Sequence, residues 1–255
     1  MSRVWGAGAL IVSMSLAAGS MAVAQDDEMK KKIESLEAGQ QAILKELAEI
    51  KKIVAASPRA PQAAAINVEG KVYSIGENPI KGSNTAKLTL LEFTDYQCPY
   101  CAKYARETYP QIEKEYVATG KLRYGLVDLP LDMHKQAFKA AEATRCAMDQ
   151  GKYWEMHDRL FENQKALEPW TAHAAALGLD TAKFDECMST GKQAPAVRAN
   201  LAVAGSVGVS ATPGFLLAAT DPADPKKVKG LMFIRGAQPF DTFKAEIDKA
   251  LAKLQ

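Results

Sequence analysis

The sequence predicts an α/β fold in which two strand-containing parts flank a block of helices. Short apolar runs typical of buried strands occur on both sides of a long segment, from about His134 to Ser206, that shows only helical periodicity. The order along the chain is therefore βαβ, a helical block, then ββα. A heptad repeat before residue 57 adds a separate helix on the amino-terminal side.

Composition excludes several classes of function. The chain has 255 residues, of which 47% are hydrophobic, which is enough for a substantial core. Its 32 basic and 30 acidic side chains leave a net charge of +2, so no overall field favours nucleic acid or an anionic membrane. With only 4 cysteines the chain is not a disulfide-dense scaffold. We expect a globular protein without a nucleic-acid partner.

Residues 1–24 have the pattern of a secretory signal peptide. Arg3 precedes an uncharged stretch that closes with Ala22-Val23-Ala24, a cleavage site of the A-x-A type. We expect a mature chain that begins at Gln25, lies outside the cytoplasm and is not attached to the membrane after cleavage. An uncleaved membrane anchor is the alternative, because the uncharged stretch is nearly long enough to span a bilayer.

A coiled-coil helix is predicted over residues 25–57. Apolar side chains recur at alternating spacings of four and three, which is the pattern of a seam between parallel helices. The seam positions are Met29, Ile33, Leu36, Gln40, Ile43, Leu47, Ile50 and Val54.

Charges beside this seam favour a parallel homo-oligomer through residues 29–54. Across the seam, Lys32 of one helix faces Glu37 of the next, and Glu46 faces Lys51, so both pairs are opposite in sign. A lone amphipathic helix folded back on its own domain remains the alternative, because a glycine inside the helix weakens it. The pattern does not decide between a dimer and a trimer.

Residues 58–65 are predicted to be a linker, since Pro58 and Pro61 stop the helix. The folded unit then covers residues 66–255, with the helical insertion at about 131–206. Strands are predicted at an extended stretch Val68–Ile75 and at Leu88–Phe93, Leu122–Val127, Gly214–Ala219 and Val228–Ile234. Helices are predicted at Tyr104–Thr119, Gln136–Gln150, Tyr153–Gln164, Trp170–Leu177, Thr181–Ser189, Ala194–Val203 and Phe240–Leu254.

The candidate chemistry lies in the tetrapeptide Cys98-Pro99-Tyr100-Cys101, where a buried strand gives way to a helix. Backbone N–H groups and the helix dipole stabilise a thiolate at a helix amino terminus, so Cys98 is the predicted attacking thiol. Cys101, one turn further, is spaced to resolve the mixed disulfide that Cys98 forms. Half of a zinc site is the alternative, but zinc usually requires a second close pair, and Cys146 and Cys187 are far apart in the sequence.

Three segments resemble the DsbA-like branch of the thioredoxin superfamily: Leu90 to Cys101, Cys146 to Asp158, and Ala211 to Phe215. The resemblance covers Asn67 to the end of the chain. It implies a thioredoxin fold with a helical insertion and a thiol-disulfide oxidoreductase that needs no cofactor.

The same resemblance implies a setting and partners. The setting would be the periplasm of a Gram-negative bacterium, and the partners would be protein substrates with thiols or disulfides and a redox partner protein. The amino-terminal helix is similar to that of ScsC-like proteins, in which such a helix oligomerises a DsbA-like domain.

The resemblance also implies roles for particular residues. Pro213 matches a cis-proline beside the active site, where the backbone of Thr212 would pair with an extended substrate segment. Glu92 matches a buried carboxylate that helps to move the proton of the second thiol, although an ordinary edge-strand glutamate is an equal alternative. The C-x-x-C pairing leaves Cys146 and Cys187 for each other, and the family supports such a bridge in some members. Two buried free thiols are the alternative.

The residues between the two motif cysteines bear on the direction of the reaction. The strongly oxidising relatives have Pro-His there, whereas Tyr100 offers a hydroxyl and no positive charge, so a less oxidising couple is expected. An oligomeric isomerase or reductase is favoured slightly over a monomeric dithiol oxidase. Two further hypotheses stay open: a copper-binding or redox-sensing protein, and a non-enzymatic coiled-coil adaptor. Asp95 is predicted to be a turn or cap residue, and the three histidines are too scattered to suggest a metal site.

Overall fold

The computed structural model describes residues 10–56 and 66–254, and their side chains in 28–53 and 66–254. Contacts divide the chain into two compact units, Met1–Ala64 and Ala65–Gln255. Residues 1–9 of the predicted signal peptide and the whole predicted linker, 58–65, lie outside the described residues. The linker therefore remains a prediction, and the start of the mature chain at Gln25 is one as well.

The first unit contains one long helix, α1, Leu10–Ala56. It includes residues 25–56 of the predicted coiled-coil segment and begins earlier, within the predicted signal segment. Six apolar seam side chains on it are between 48% and 73% exposed: Met29, Ile33, Leu36, Ile43, Leu47 and Ile50. Within the described ranges, no helix has the length and apolar character needed to cross a membrane.

The second unit is built on a mixed sheet with the strand order β1-β6-β5-β3-β4-β2. The neighbouring strands β3 and β4 are parallel, and the other pairs are antiparallel. All residues of β3 and β4 are buried, in agreement with the mainly apolar sequences of both segments, and the burial extends to polar side chains such as Glu92 and Arg123. The strands are β1 Val72–Ser74, β2 Ile80–Lys81, β3 Leu88–Thr94, β4 Leu122–Asp128, β5 Gly214–Thr220 and β6 Lys227–Arg235.

Helices cover the sheet and fill the predicted insertion between β4 and β5. The helices are α2 Pro99–Glu107, α3 Tyr109–Ile112 with a π-helical turn Glu113–Val117, α4 Ala137–Met148, α5 Tyr153–Glu162, α6 Trp170–Ala176, α7 Thr181–Thr190, α8 Ala194–Val207 and α9 Phe240–Lys253. Those of the insertion are α4 to α8. The predicted order of βαβ, helical block and ββα is confirmed, as is the thioredoxin-like fold with an amino-terminal helix.

Two elements differ from the prediction. The first helix of the folded unit begins at Pro99 rather than Tyr104, because a proline is well tolerated at the first helical position, where its missing N–H is not needed. The helix is interrupted at Thr108, since Pro110 cannot donate a hydrogen bond to the preceding turn. Strand β2 falls in a segment predicted as turns, because two residues are too short to show a strand period.

Three apolar clusters form the core. Leu88 and Leu90 of β3 point to one side of the sheet and pack with residues of α3 and α9. Leu91 and Phe93 point to the opposite side and pack with residues of α8. The third cluster contains side chains of the four helices α4, α5, α6 and α7 and includes Cys98, Cys101 and Ala102. The tetrapeptide motif therefore lies where the sheet meets the helical insertion.

Candidate active site

Cys98 is the N-cap residue of α2, directly beyond the carboxyl end of β3. The turn before it is held by Asp95, whose backbone carbonyl accepts from the Cys98 N–H at 3.1 Å and whose carboxylate accepts from the Gln97 N–H at 2.7 Å. Asp95 is thus a turn residue, as expected. Both motif thiols are free, and Cys98 is 4% and Cys101 0% exposed.

The two thiols have opposite acidities. The pKa of Cys98 is lowered to about 6, chiefly by its hydrogen bond with the Cys101 thiol, with help from the Thr212 side chain and from the N–H groups of Cys101 and Tyr100. Burial raises the pKa of Cys101, and the nearby Cys98 and Glu92 raise it further. At neutral pH, Cys98 is therefore the thiolate and Cys101 the thiol.

The loop before β5 completes the outer side of the site. The Thr212–Pro213 peptide bond is cis, and Cys98 Sγ lies 3.5 Å from the Thr212 carbonyl oxygen, to which it donates when it is protonated. Pro213 is buried and Thr212 is half-buried. The structure thus places the segment that the resemblance assigned to substrate binding directly against the thiol of Cys98.

Glu92 lies beneath the motif in the middle of the sheet. Its strand, β3, is hydrogen-bonded to β4 on one side and β5 on the other, so the alternative of an edge-strand glutamate is wrong. The residue is 1% exposed, and burial raises the pKa of its carboxyl group to about 8 although the Tyr124 hydroxyl donates to Oε2. The other oxygen, Oε1, has no hydrogen-bond partner among the described residues.

The helical insertion clamps the backbone of the motif loop through a glutamine that the sequence reasoning missed. The Gln164 side-chain amide donates to the Tyr96 carbonyl at 2.8 Å and to the Cys98 carbonyl at 2.9 Å. Gln164 follows α5, far from the motif in sequence, and no local pattern marks it. One side chain therefore fixes both carbonyls that lead into α2.

A second clamp joins the motif loop to the segment between β4 and α4. Besides its turn contact, the buried Asp95 carboxylate accepts from the Leu131 N–H at 2.8 Å and contacts His134 Nδ1 at 2.7 Å. No local pattern in the sequence indicates this pairing, because the two side chains are distant along the chain. Asp95 is consequently more than a local turn residue.

Two large apolar side chains, one in the motif and one in the segment between β4 and α4, are exposed to solvent. Tyr100 is 65% exposed and Met133, on the β4–α4 segment, is 79% exposed. An imidazole between the cysteines would add positive charge, whereas Tyr100 adds none.

The remaining two cysteines form a disulfide, Cys146–Cys187, that joins α4 to α7 with the Cα atoms 5.9 Å apart. Its pairing is the one that the resemblance implied. In the described part of the chain, no group of three or more histidine, cysteine, aspartate or glutamate side chains is arranged to hold a metal ion. His157 instead packs against the rings of Tyr96 and Phe161.

A family model described as thioredoxin matches residues 74–249 of the chain. Two solved structures show the same fold at low identity. The α-DsbA1 protein of Wolbachia pipientis is 22% identical with a TM-score of 0.62, over 71% of this chain and 94% of that one. Oxidised BdbD of Bacillus subtilis is 22% identical with a TM-score of 0.61, over 73% of this chain and 99% of that one.

Curated relatives with higher identity match only part of the chain. Na(+)/H(+) antiporter NhaA 3 of Salinispora tropica is 34% identical over 141 residues, which is 54% of this chain and 21% of the antiporter. Na(+)/H(+) antiporter NhaA of Herminiimonas arsenicoxydans is 34% identical over 140 residues, 54% of this chain and 22% of the antiporter. The chain thus spans about a fifth of the length of the curated relatives it matches.

Proposed function

This chain belongs to the thioredoxin family, and from that premise we propose that it is a thiol-disulfide oxidoreductase that exchanges disulfides with protein substrates through Cys98 and Cys101. The observation that carries the proposal is the split in acidity within the motif. Cys98, with a pKa of about 6, is a thiolate at neutral pH, and its partner is a buried thiol one helical turn away. That pair is suited to attack followed by resolution.

In the reducing direction, the Cys98 thiolate attacks one sulfur of a substrate disulfide. A bond forms between Cys98 Sγ and that sulfur, the substrate disulfide breaks, and the second substrate sulfur leaves as a thiolate. If another thiolate of the same substrate then attacks the mixed disulfide, a new substrate disulfide forms and Cys98 leaves as a thiolate. The net reaction is isomerisation of the substrate. No electrons are gained or lost by the protein in that case.

Resolution occurs when Cys101 attacks instead. The Cys101 thiol first loses its proton to the Glu92 carboxylate, the thiolate attacks Cys98 Sγ, and the bond from Cys98 to the substrate breaks. The Cys98–Cys101 disulfide forms and the substrate leaves reduced. Run backwards, the same steps oxidise a substrate dithiol. The high pKa of Glu92 supports this role, because a base with a pKa of about 8 can both take and return a proton near neutral pH.

The substrates are proposed to be extended protein segments. The Thr212 carbonyl, 3.5 Å from Cys98 Sγ, belongs to a half-buried loop that can present backbone groups to a chain lying across the thiol. The exposed ring of Tyr100 offers apolar contact next to it. Such contacts recognise backbone and apolar surface rather than one sequence, which suits a catalyst of many unfolded clients.

We further propose that the protein acts as a homo-oligomer through residues 29–54. The support is the exposed apolar seam on α1 together with the opposite charges that a parallel second copy would bring into register. An oligomer holds several Cys98 thiolates near one misfolded client, so that repeated exchange becomes intramolecular. This favours isomerisation over single oxidation.

The setting proposed is the periplasm, where a disulfide such as Cys146–Cys187 persists. The support from the sequence is the signal-peptide pattern of residues 1–24. The lack of an imidazole in the motif supports a Cys98–Cys101 disulfide that is less oxidising than that of the relatives with Pro-His between the cysteines. A redox partner protein would then keep Cys98 and Cys101 reduced, because isomerisation begins with the Cys98 thiolate.

The experiment that tests the proposal is reactivation of scrambled ribonuclease by the mature chain, Gln25 to Gln255. Three comparisons accompany it: a truncation that starts at Gln62, the seam variant Leu47→Asp in the full chain, and the matched control Ala48→Asp, which introduces the same charge next to the seam position. We expect the mature chain and Ala48→Asp to reactivate ribonuclease, and the truncation and Leu47→Asp to lose most of that activity.

The outcomes separate the two parts of the proposal. If every form oxidises reduced ribonuclease but none reactivates the scrambled enzyme, the protein is a dithiol oxidase and the seam has another purpose. If the truncation reactivates as well as the mature chain, oligomerisation is not needed for isomerisation. If no form exchanges disulfides at all, the proposed activity is wrong.

A further inference from the structure

Glu92 has a neighbour that the motif does not include. Tyr124 lies on β4, in register opposite Leu90 of the parallel strand β3, and its side chain is 1% exposed. Its hydroxyl donates to Glu92 Oε2. The ring is held from the sides by Tyr109 at 4.4 Å and Trp154 at 6.0 Å between ring centroids. Tyr124 is therefore a rigid hydrogen-bond donor to the buried carboxylate.

Two other tyrosines lie in the same cluster but differ in their contacts. The hydroxyls of Tyr104 and Tyr109 are buried and have no hydrogen-bond partner among the described residues. Burial and the Glu92 charge raise the pKa of Tyr104, Tyr109 and Tyr124. All three phenols thus stay protonated at neutral pH, and only the hydroxyl of Tyr124 is bonded to Glu92.

The direction of that bond has a chemical consequence. A protonated phenol facing a carboxylate donates its hydrogen, so Oε2 of Glu92 is already engaged when Cys101 must lose its proton. The unpartnered oxygen, Oε1, is then the acceptor left for the thiol. Donation from Tyr124 also stabilises the ionised carboxylate, against the burial that disfavours it.

We propose that Tyr124 is a positioning residue for resolution: its hydroxyl fixes the Glu92 carboxylate so that Oε1 takes the Cys101 proton, and sets the pH at which Cys101 attacks. The inference rests on the proposed function. In the step concerned, the proton passes from Cys101 Sγ to Glu92 Oε1, the Cys98–Cys101 bond forms, and the substrate leaves as a thiolate. The proton on Glu92 then passes to bulk water.

The test compares Tyr124→Phe with Tyr109→Phe in the mature chain. Each variant removes one buried phenol oxygen and keeps the ring, but only the first removes a bond to Glu92. The Glu92 pKa is followed by its infrared carboxyl band in the reduced protein. Resolution is followed from pH 5 to 10 as the release of a thiol-containing peptide from a preformed mixed disulfide with Cys98.

We expect Tyr124→Phe to raise the Glu92 pKa by about one unit, because it removes a hydrogen bond to the charged form. At pH 7 the ionised fraction of Glu92 falls correspondingly, so resolution slows by about tenfold and its pH midpoint moves upward by the same shift. Tyr109→Phe should stay within about twofold of the wild type at every pH. In a Glu92→Gln background, adding Tyr124→Phe should no longer move the pH profile.

Contrary results are distinguishable. An unchanged Glu92 pKa and resolution profile in Tyr124→Phe overturns the inference, and so does an equal effect of Tyr109→Phe, which would show a packing effect. If those results come with a wild type that exchanges disulfides, the proposed function stands and only the role of Tyr124 falls. A wild type that forms no mixed disulfide overturns the proposed function and this role together.

Discussion

Replacing Glu92 by glutamine should stabilise the reduced protein at alkaline pH. The carboxyl pKa is raised from 4.5 to about 8, so the folded protein resists ionisation that the unfolded chain accepts freely. For a group whose pKa is raised on folding, the associated stability is fully present below the unfolded pKa and is lost as pH rises through the folded pKa. The wild type therefore loses stability between about pH 4.5 and pH 8.

The size of the effect follows from the pKa difference. Three and a half pK units at about 1.4 kcal/mol each give a loss of about 5 kcal/mol above pH 8. Glutamine keeps the shape of the side chain and its ability to accept from Tyr124, but it does not ionise. The free energy of unfolding of Glu92→Gln minus that of the wild type should thus rise by about 3–5 kcal/mol from pH 4.5 to pH 8 and then level off.

The measurement is denaturant unfolding of both proteins, kept reduced, at several pH values from 4 to 9. Taking the difference cancels the titration of Cys98, which both proteins share. Glu107→Gln, an exposed carboxylate on α2, is the matched control, since solvent screens its charge. A difference between Glu92→Gln and the wild type that does not change with pH would refute the reasoning.

Three further predictions concern the rest of the site. Alkylation of the reduced protein by iodoacetamide should occur at Cys98 first, with a rate midpoint near pH 6, and a midpoint near that of an ordinary thiol would contradict it. Gln164→Ala should lower the free energy of unfolding by about 1–2 kcal/mol in a denaturant titration, because the Tyr96 carbonyl loses the Gln164 donor and the Cys98 carbonyl keeps only the Ala102 N–H; an unchanged titration counts against the clamp. Replacing both Cys146 and Cys187 by alanine should lower the free energy of unfolding by about 3–4 kcal/mol, since the unfolded chain loses a cross-link between residues 41 apart. A loss under about 1 kcal/mol would count against a stabilising bridge.

The sequence predicted the sheet well where burial is complete. The prediction of Leu88–Phe93 and Leu122–Val127 rests on short, mainly apolar runs, which are typical of strands covered on both faces, and the structure extends each by one residue. The start of α2 was missed by five residues, because a helix that begins inside the motif with Pro99 has little apolar periodicity in its first turn. Local pattern cannot show such a start.

The residues of the site also divide into those that the sequence predicts and those that only the folded structure brings together. Both motif cysteines follow from their spacing, and Glu92 and Pro213 from the resemblance. Tyr124, Gln164 and His134 could not be predicted, since each contributes through a contact across the sheet or from the insertion. Such contacts are properties of the folded chain and leave no periodic or short-range signal in the sequence.

The central claim is that Cys98 attacks substrate disulfides and Cys101 resolves the product. The most direct test is to mix reduced Cys101→Ser protein with a disulfide-bonded peptide and to map the product by mass spectrometry, with Cys98→Ser alongside. The account predicts a stable mixed disulfide between Cys98 and the peptide in the first protein, and no mixed disulfide in the second. Absence of the adduct in Cys101→Ser, or an adduct at another cysteine, would contradict it.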